Sequence, residues 1–189
     1  MIDSLRSHLT SRLGGHTGQL DAVLSHFRHV RVQRGEQLLR QGDVCNHVWF
    51  IAAGCLQVYV YDSSYNETTR DIVLEDNWCS ELISFSQRVP ATENIRAIED
   101  TDLLAINQSS FQALMASVAP FAQVYQQVLE ASHAGSVHRV NALVSLSALE
   151  KIRWVAAHRP QLFTRVSSKL VASYLGISQE TYSRLKSKV

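Results

Sequence analysis

The side chains best suited to recognition chemistry lie at the end of the sequence. Over 177–189, Gln179, Glu180, Ser183, Arg184 and Ser187 fall on one side of a helix at ~100° per residue. Ile177, Tyr182, Leu185 and Val189 fall on the other. Arginine binds a guanine edge in bidentate fashion, glutamine suits adenine, and glutamate accepts from cytosine N4. Serine hydroxyls and lysine ammonium groups suit phosphates. Gln179, Glu180 and Arg184 are therefore candidates for contacts to base edges, and Ser178, Ser183, Lys186 and Lys188 for contacts to a nucleic-acid backbone. The alternative is an ordinary helical hairpin with a solvated face.

These side chains need two helices meeting at Gly176. Leu170, Val171, Tyr174 and Leu175 form an apolar stripe, Ala172 is small where a second helix must pass, and Ser178 is placed to cap that helix. Glycine tolerates the positive φ of a tight turn between helices. The spacing of Ala172, Gly176 and Tyr182 matches the helix-turn-helix pattern. Charge agrees: residues 165–189 carry Arg165, Lys169, Arg184, Lys186 and Lys188 against Glu180, a net of +4. The other 13 basic and 16 acidic side chains leave −3, a mildly acidic body with a basic tail.

At 189 residues with 46% hydrophobic and 19% charged side chains, the chain is expected to fold as two small globular units. No signal-peptide core stands in the first 16 residues and no run approaches ~18 apolar residues, so a cytoplasmic location away from membranes is expected. Cys45, Cys55 and Cys79 lack any C-x-x-C spacing and read as buried free thiols. Of eight histidines, His26 and His29 are the pair a helix would juxtapose, and nothing completes a metal or haem site. No nucleophile elbow, phosphate-binding glycine loop or H-E-x-x-H helix is present, so no enzyme is indicated.

From Val30 to Ile106, short β-type runs such as 48–51, 56–61 and 101–106 are separated by Gly35, Gly42, Gly54 and the polar cluster 62–66. Aliphatic residues alternate at Leu56, Val58 and Val60, as in a strand with one buried face, and many such strands suggest a small barrel or jelly roll. From Gln108 the apolar spacing becomes helical. Pro120 suits a first turn, the almost uncharged stretch at 121–129 is expected to be buried against something, and the apolar stripe of the helix from about Pro120 to Leu146 is expected to build a homodimer. The stripe packed on its own barrel is the alternative. Ala131, Gly135 and Ala142 are small enough for another helix to approach, and Ser147 with Glu150 forms a capping box that starts a helix ending near Pro160.

The sequence resembles the Crp/Fnr family of bacterial regulators. The resemblance covers most of the chain. It rests on Arg-Gly-Glu-Gln-Leu-Leu-Arg-Gln-Gly-Asp at 34–43, Val-Trp-Phe-Ile at 48–51, Gly-Cys-Leu-Gln-Val at 54–58, and Leu-Gly-Ile-Ser-Gln-Glu-Thr-Tyr-Ser-Arg at 175–184. It implies an α+β fold with three parts: an N-terminal jelly-roll barrel of cyclic-nucleotide-binding type at 1–118, a long dimerisation helix at 119–146, and a helix-turn-helix domain at 147–189. It further implies that Gln179, Glu180 and Arg184 read bases and that Ser167, Ser168 and Lys169 lie near phosphates. The implied partners are double-stranded DNA carrying an inverted repeat, a second copy of the chain and RNA polymerase.

Two departures follow from the same comparison. The family's pocket has a Gly-Glu-Leu turn and, about ten residues on, an Arg-Ser or Arg-Thr pair that neutralises the cyclic phosphate. Here Ser80, Glu81 and Leu82 stand with Ala91 and Thr92 downstream, so this remnant is expected not to bind cyclic AMP, and no cofactor is assigned. The sequence also ends at Val189, so a domain lacking a C-terminal wing is expected, with Lys186 and Lys188 supplying backbone contacts. A small-ligand sensor or protein-interaction module that does not bind DNA is the alternative function.

Overall fold

The computed structural model describes residues 1–13 and 18–189; His16 lies outside them. In chain order the elements are α1 (Ile2–Leu13), α2 (Leu20–Leu24), β1 (Arg28–Val32), β2 (Gln37–Leu39), β3 (His47–Ala53), β4 (Leu56–Tyr61), β5 (Glu67–Val73), β6 (Trp78–Cys79), α3 (Leu82–Gln87), β7 (Asn94–Ala97), β8 (Thr101–Asn107), α4 (Gln108–Ser117), α5 (Ala119–Ser145), α6 (Ala148–His158), α7 (Leu162–Arg165), α8 (Ser168–Tyr174) and α9 (Gln179–Lys186). They form two compact units: Met1–Val60 with Ile72–Glu130, and Tyr61–Asp71 with Ala131–Val189. The chain is a mixed α+β protein.

The strands make two four-stranded sheets, ordered β1-β8-β3-β6 and β2-β7-β4-β5, which build the jelly roll. Antiparallel register sets Val48 opposite Ile106 and Phe50 opposite Leu104 in one sheet, and Leu56 opposite Ala97 and Val58 opposite Ile95 in the other. Phe50, Ile51, Leu56, Ile95, Leu103 and Ile106 are fully buried, so apolar burial drives the roll. Gly54 turns the chain between β3 and β4 at φ +101, and a Cβ there would lie 2.4 Å from Thr101 Oγ1 and 2.7 Å from Thr101 Cα. Only glycine fits.

Strand β4 departs from the expectation of one buried face. Gln57 and Tyr59 are as buried as Leu56 and Val58. Arg96 Nε donates to Gln57 Oε1 at 2.9 Å and lies 4.6 Å over the Tyr59 ring, while Tyr59 OH donates to Gln37 Oε1 at 3.2 Å. Polar side chains that satisfy one another can be buried.

Helix α5 starts with Pro120 in its first turn, as expected. The early part of its uncharged stripe packs on the chain's own barrel, as in the alternative reading. Phe121 and Val124 lie in the barrel's own core, with Tyr125 and Val128 partly buried against it. Phe111 meets Phe121 and Tyr125 edge-on at 5.6 and 5.0 Å. This aromatic packing satisfies the stripe within one chain. The exposed apolar side chains of α5 come later, at Val137, Val140 and Val144.

In the second unit α6 starts at Ser147, whose N–H and hydroxyl both donate to the Glu150 carboxylate, at 2.8 and 2.6 Å. Ile152 and Val155 of α6, Leu162 of α7, Val171 and Ala172 of α8 and Tyr182 of α9 are buried and make its core. Cys45, Cys55 and Cys79 are buried free thiols, as expected.

Candidate nucleic-acid interface and effector pocket

Helices α8 and α9 are joined by a turn whose geometry follows from its residues. Ser167 caps α8, its hydroxyl accepting from the Leu170 N–H at 3.4 Å. At the other end Gly176 takes φ +62; its N–H donates to Ser173 O and the Ile177 N–H to Ala172 O, both at 3.1 Å. These two bonds close a glycine-terminated helix end and free the chain to turn. Ser178 then caps α9 by accepting from the Thr181 N–H at 3.2 Å. The result is a helix-turn-helix with Tyr182 fully buried beneath it.

Gln179, Glu180, Ser183, Arg184 and Ser187 are all exposed, and Ile177 and Leu185 are half-buried. The two-sided reading of α9 therefore holds except at Val189, which lies beyond the helix and is exposed. Glu180 is held below the usual carboxylate range by a backbone hydrogen bond at the helix start and by Ser178, so it is an anion at neutral pH. Ser167, Lys169, Ser178, Lys186 and Lys188 are exposed and Ser168 is half-buried. Lys186 Nζ sits 5.8 Å from the ring centres of both Phe163 and Tyr182, which steadies its ammonium group beside α9.

Three of the residues expected to form an effector-pocket remnant, Ser80, Glu81 and Ala91, are engaged in internal hydrogen bonds. Ser80 donates its hydroxyl to His47 O at 3.0 Å, and the Glu81 carboxylate caps α3 by accepting from the Ser84 N–H at 2.6 Å. Ala91 is buried and bonded on both sides, its N–H donating to Asp43 O and its carbonyl accepting from the Gly42 N–H, each at 2.8 Å. Leu82 and Thr92 are exposed. The two arginines near in sequence are engaged elsewhere: Arg88 bonds Cys45 O at 2.9 Å and Asn46 Oδ1 at 2.6 Å, and Arg96 bonds Gln57. A groove of about 390 Å³ lined by Leu38, Leu39, Asp43, Val44, Asn46, His47 and Trp49 includes none of the remnant residues.

His26 and His29 are not a helical pair: His26 lies in the turn after α2, and His29 lies on β1, 2.8 Å from Asp102. Among the described residues no group of His, Cys, Asp and Glu is placed to hold a metal ion, and no helix is long and apolar enough to cross a membrane.

A family model for the cyclic nucleotide-binding domain matches residues 29–118, the jelly roll just described. The barrel is similar to cyclic nucleotide-binding domains over that stretch. No curated protein sequence matches the chain. Solved structures with its fold include the catabolite activator protein of Thermus thermophilus, at 20% identity and a TM-score of 0.58 over 94% of this chain and 85% of that one. The regulator CLP of Xanthomonas campestris aligns at 16% identity and a TM-score of 0.71 over 91% and 90%. A protein assigned to the Crp/Fnr regulators from Eubacterium rectale aligns at 16% and 0.70 over 92% and 82%. The chain thus shares its fold with these regulators over most of its length, and its barrel is similar to cyclic nucleotide-binding domains.

Sequence reasoning missed one polar cluster in the second unit. Tyr174, on the buried side of α8, is in contact with Arg139 and Arg159, and Arg159 is paired with Asp71. Asp71 and Arg139 are 68 positions apart, and no local pattern joins them.

Proposed function

We propose that the protein is a sequence-specific DNA-binding transcription regulator whose barrel does not take cyclic AMP or cyclic GMP. One observation carries the DNA reading: a capped helix-turn-helix whose second helix exposes Gln179, Glu180, Ser183 and Arg184 together. In this reading Gln179, Glu180 and Arg184 contact base edges, and Ser167, Ser168, Lys169, Ser178, Ser183, Lys186 and Lys188 contact phosphates. A homodimer formed through α5 sets two α9 helices in successive major grooves ~34 Å apart, so the operator is an inverted repeat. RNA polymerase is the further partner such a regulator addresses.

The cyclic-nucleotide reading turns on charge. A cyclic phosphate entering the barrel loses water and needs a cation, and an unpaired buried charge is costly. Ala91 offers a methyl group, and Arg88 and Arg96 are bonded to other partners. These residues do not fit the ligand.

Two experiments test the proposal. Purified protein is used to select fragments from its source genome; discrete, salt-sensitive retention of inverted repeats is expected, and no retention at low salt overturns the DNA reading. Calorimetric titration with cyclic AMP and cyclic GMP is expected to show no binding, and a low-micromolar Kd for either defeats that part. Because CLP is a c-di-GMP-responsive regulator, the same titration is run with c-di-GMP.

A further inference from the structure

The second unit includes a stretch of chain remote from it in sequence. Tyr61–Asp71, the end of the β4–β5 hairpin, groups with Ala131–Val189, so the chain passes between the units after Val60, after Asp71 and after Glu130. The hairpin tip is a defined turn, with Asp62 Oδ1 accepting from the N–H groups of Ser64 and Asn66 at 2.8 and 2.9 Å.

The base of the hairpin is bonded to the last turns of α8. The Thr69 N–H donates to Ser173 Oγ at 2.8 Å. Asp71 Oδ1 accepts from an Arg159 NH at 3.3 Å, and that guanidinium also donates to Tyr174 OH at 2.9 Å. Arg139, from α5, donates to Tyr174 O at 2.8 Å and Thr69 O at 3.4 Å, and its guanidinium carbon lies 4.4 Å from the Tyr174 ring centre. Two guanidiniums thus converge on one buried phenol ring with one carboxylate beside them. Arg139 Nε is buried without a hydrogen-bond partner among the described residues. Asp71 attracts both Arg139 and Arg159 while Arg70 repels Arg139, so removing the Asp71 charge leaves this cluster of cations less compensated. Ser173 and Tyr174 immediately precede Leu175 and the left-handed Gly176, where the direction of α9 is set.

We propose that the Tyr61–Asp71 hairpin positions the helix-turn-helix, with Asp71, Arg139, Arg159 and Ser173 as positioning residues that hold α8 and thereby set how α9 is presented to DNA. The proposal rests on the DNA-binding reading above. The hairpin reaches α8 through the Thr69–Ser173 hydrogen bond and the Asp71–Arg159–Tyr174 contacts. The resulting effect is a shift in the fraction of molecules with α9 correctly presented, with the DNA contacts themselves unchanged.

Asp71→Asn and Ser173→Ala test it with two readouts, amide hydrogen exchange and retention on mixed-sequence duplex DNA across about 50 to 200 mM salt. Exchange over residues 168–177 is expected to rise about tenfold while Thr101–Asn107 is unaffected. Affinity is expected to fall about tenfold with an unchanged salt slope, because phosphate contacts are retained, and Asp71→Glu is expected to recover part of it. Unchanged exchange in both variants overturns the proposal. So does faster exchange with unchanged DNA affinity, which makes the hairpin merely structural, and so does exchange raised throughout α6 and α9, which reports collapse. Wild-type protein that retains no DNA defeats the DNA-binding reading, and with it the positioning role, while the exchange data still judge the mechanical link.

Discussion

At the scale of single residues, Arg184 and Lys186 lie two positions apart on α9 and are expected to behave differently. Arg184→Ala removes a guanidinium from an exposed face, so the fold persists while discrimination between operator and scrambled duplex falls by ~1–3 kcal/mol. Lys186→Ala weakens binding to both duplexes and lowers the salt slope by about 1. Fluorescence anisotropy on the two duplexes separates these outcomes, and unchanged specificity in Arg184→Ala refutes the orientation assigned to α9. Tyr182 offers a stability test, because its hydroxyl is buried with no hydrogen-bond partner among the described residues, and burial pushes its pKa up. Removing an unsatisfied polar atom is neutral or favourable, so Tyr182→Phe is expected to hold or raise stability by up to about 1 kcal/mol. A fall of that size in thermal unfolding shows that the hydroxyl has a partner.

At the scale of elements, α1 is held to the barrel by a titratable contact. The Trp78 indole N–H donates to His8 Nε2 at 2.9 Å, and the His8 ring packs edge-on against Phe50 at 5.0 Å. An indole N–H only donates, so His8 must be neutral to accept. Burial, and then Arg12, hold its pKa down to about 4 from the ordinary 6.5. The native state therefore binds this proton later than the unfolded chain does. The contact's stabilisation is complete above about pH 6.5 and is lost as pH falls toward 4. Linkage caps the loss at about 3 kcal/mol, and solvent screening of a half-buried ring reduces it to roughly 1–2 kcal/mol. Urea unfolding followed by tryptophan fluorescence at pH 7, 5.5 and 4.5 measures it against His8→Gln, whose amide oxygen accepts without titrating. Parallel losses in the two proteins sink the assignment.

At the scale of the whole molecule, the proposed homodimer draws on the later part of α5, within the 119–146 helix that the sequence indicated. With Phe121 and Val124 packed on the barrel, the apolar side chains left exposed are Val137, Val140 and Val144, 43%, 54% and 83% accessible. Their 3-then-4 spacing is that of a coiled-coil seam. Val140→Glu puts a carboxylate in that seam and is expected to convert dimer to monomer at micromolar concentration, leaving each barrel folded. Light scattering decides it: a wild-type monomer refutes the dimer, and a dimeric Val140→Glu refutes this seam.

What the sequence determined by itself was whatever depends on neighbours within about one helical turn or one strand pair. The caps at Ser147 and Ser178, the left-handed Gly176 between α8 and α9, the polar face of α9 and the course of β3, β4 and β8 were legible for that reason. Backbone sterics and local hydrogen bonds act at short sequence separation and leave a periodic trace. Tertiary structure decided which apolar surfaces meet. It covered both faces of β4 because Arg96, Gln57, Tyr59 and Gln37 satisfy one another, and it packed the early α5 stripe against Phe111. It also bonded Arg88 to Cys45 and Asn46, and Ala91 to the backbone of Gly42 and Asp43. The cluster of Asp71, Arg139, Arg159 and Tyr174 likewise left no trace in the sequence. A buried charge is tolerated only where a partner arrives, and here the partners come from separate stretches of chain that only the fold brings together.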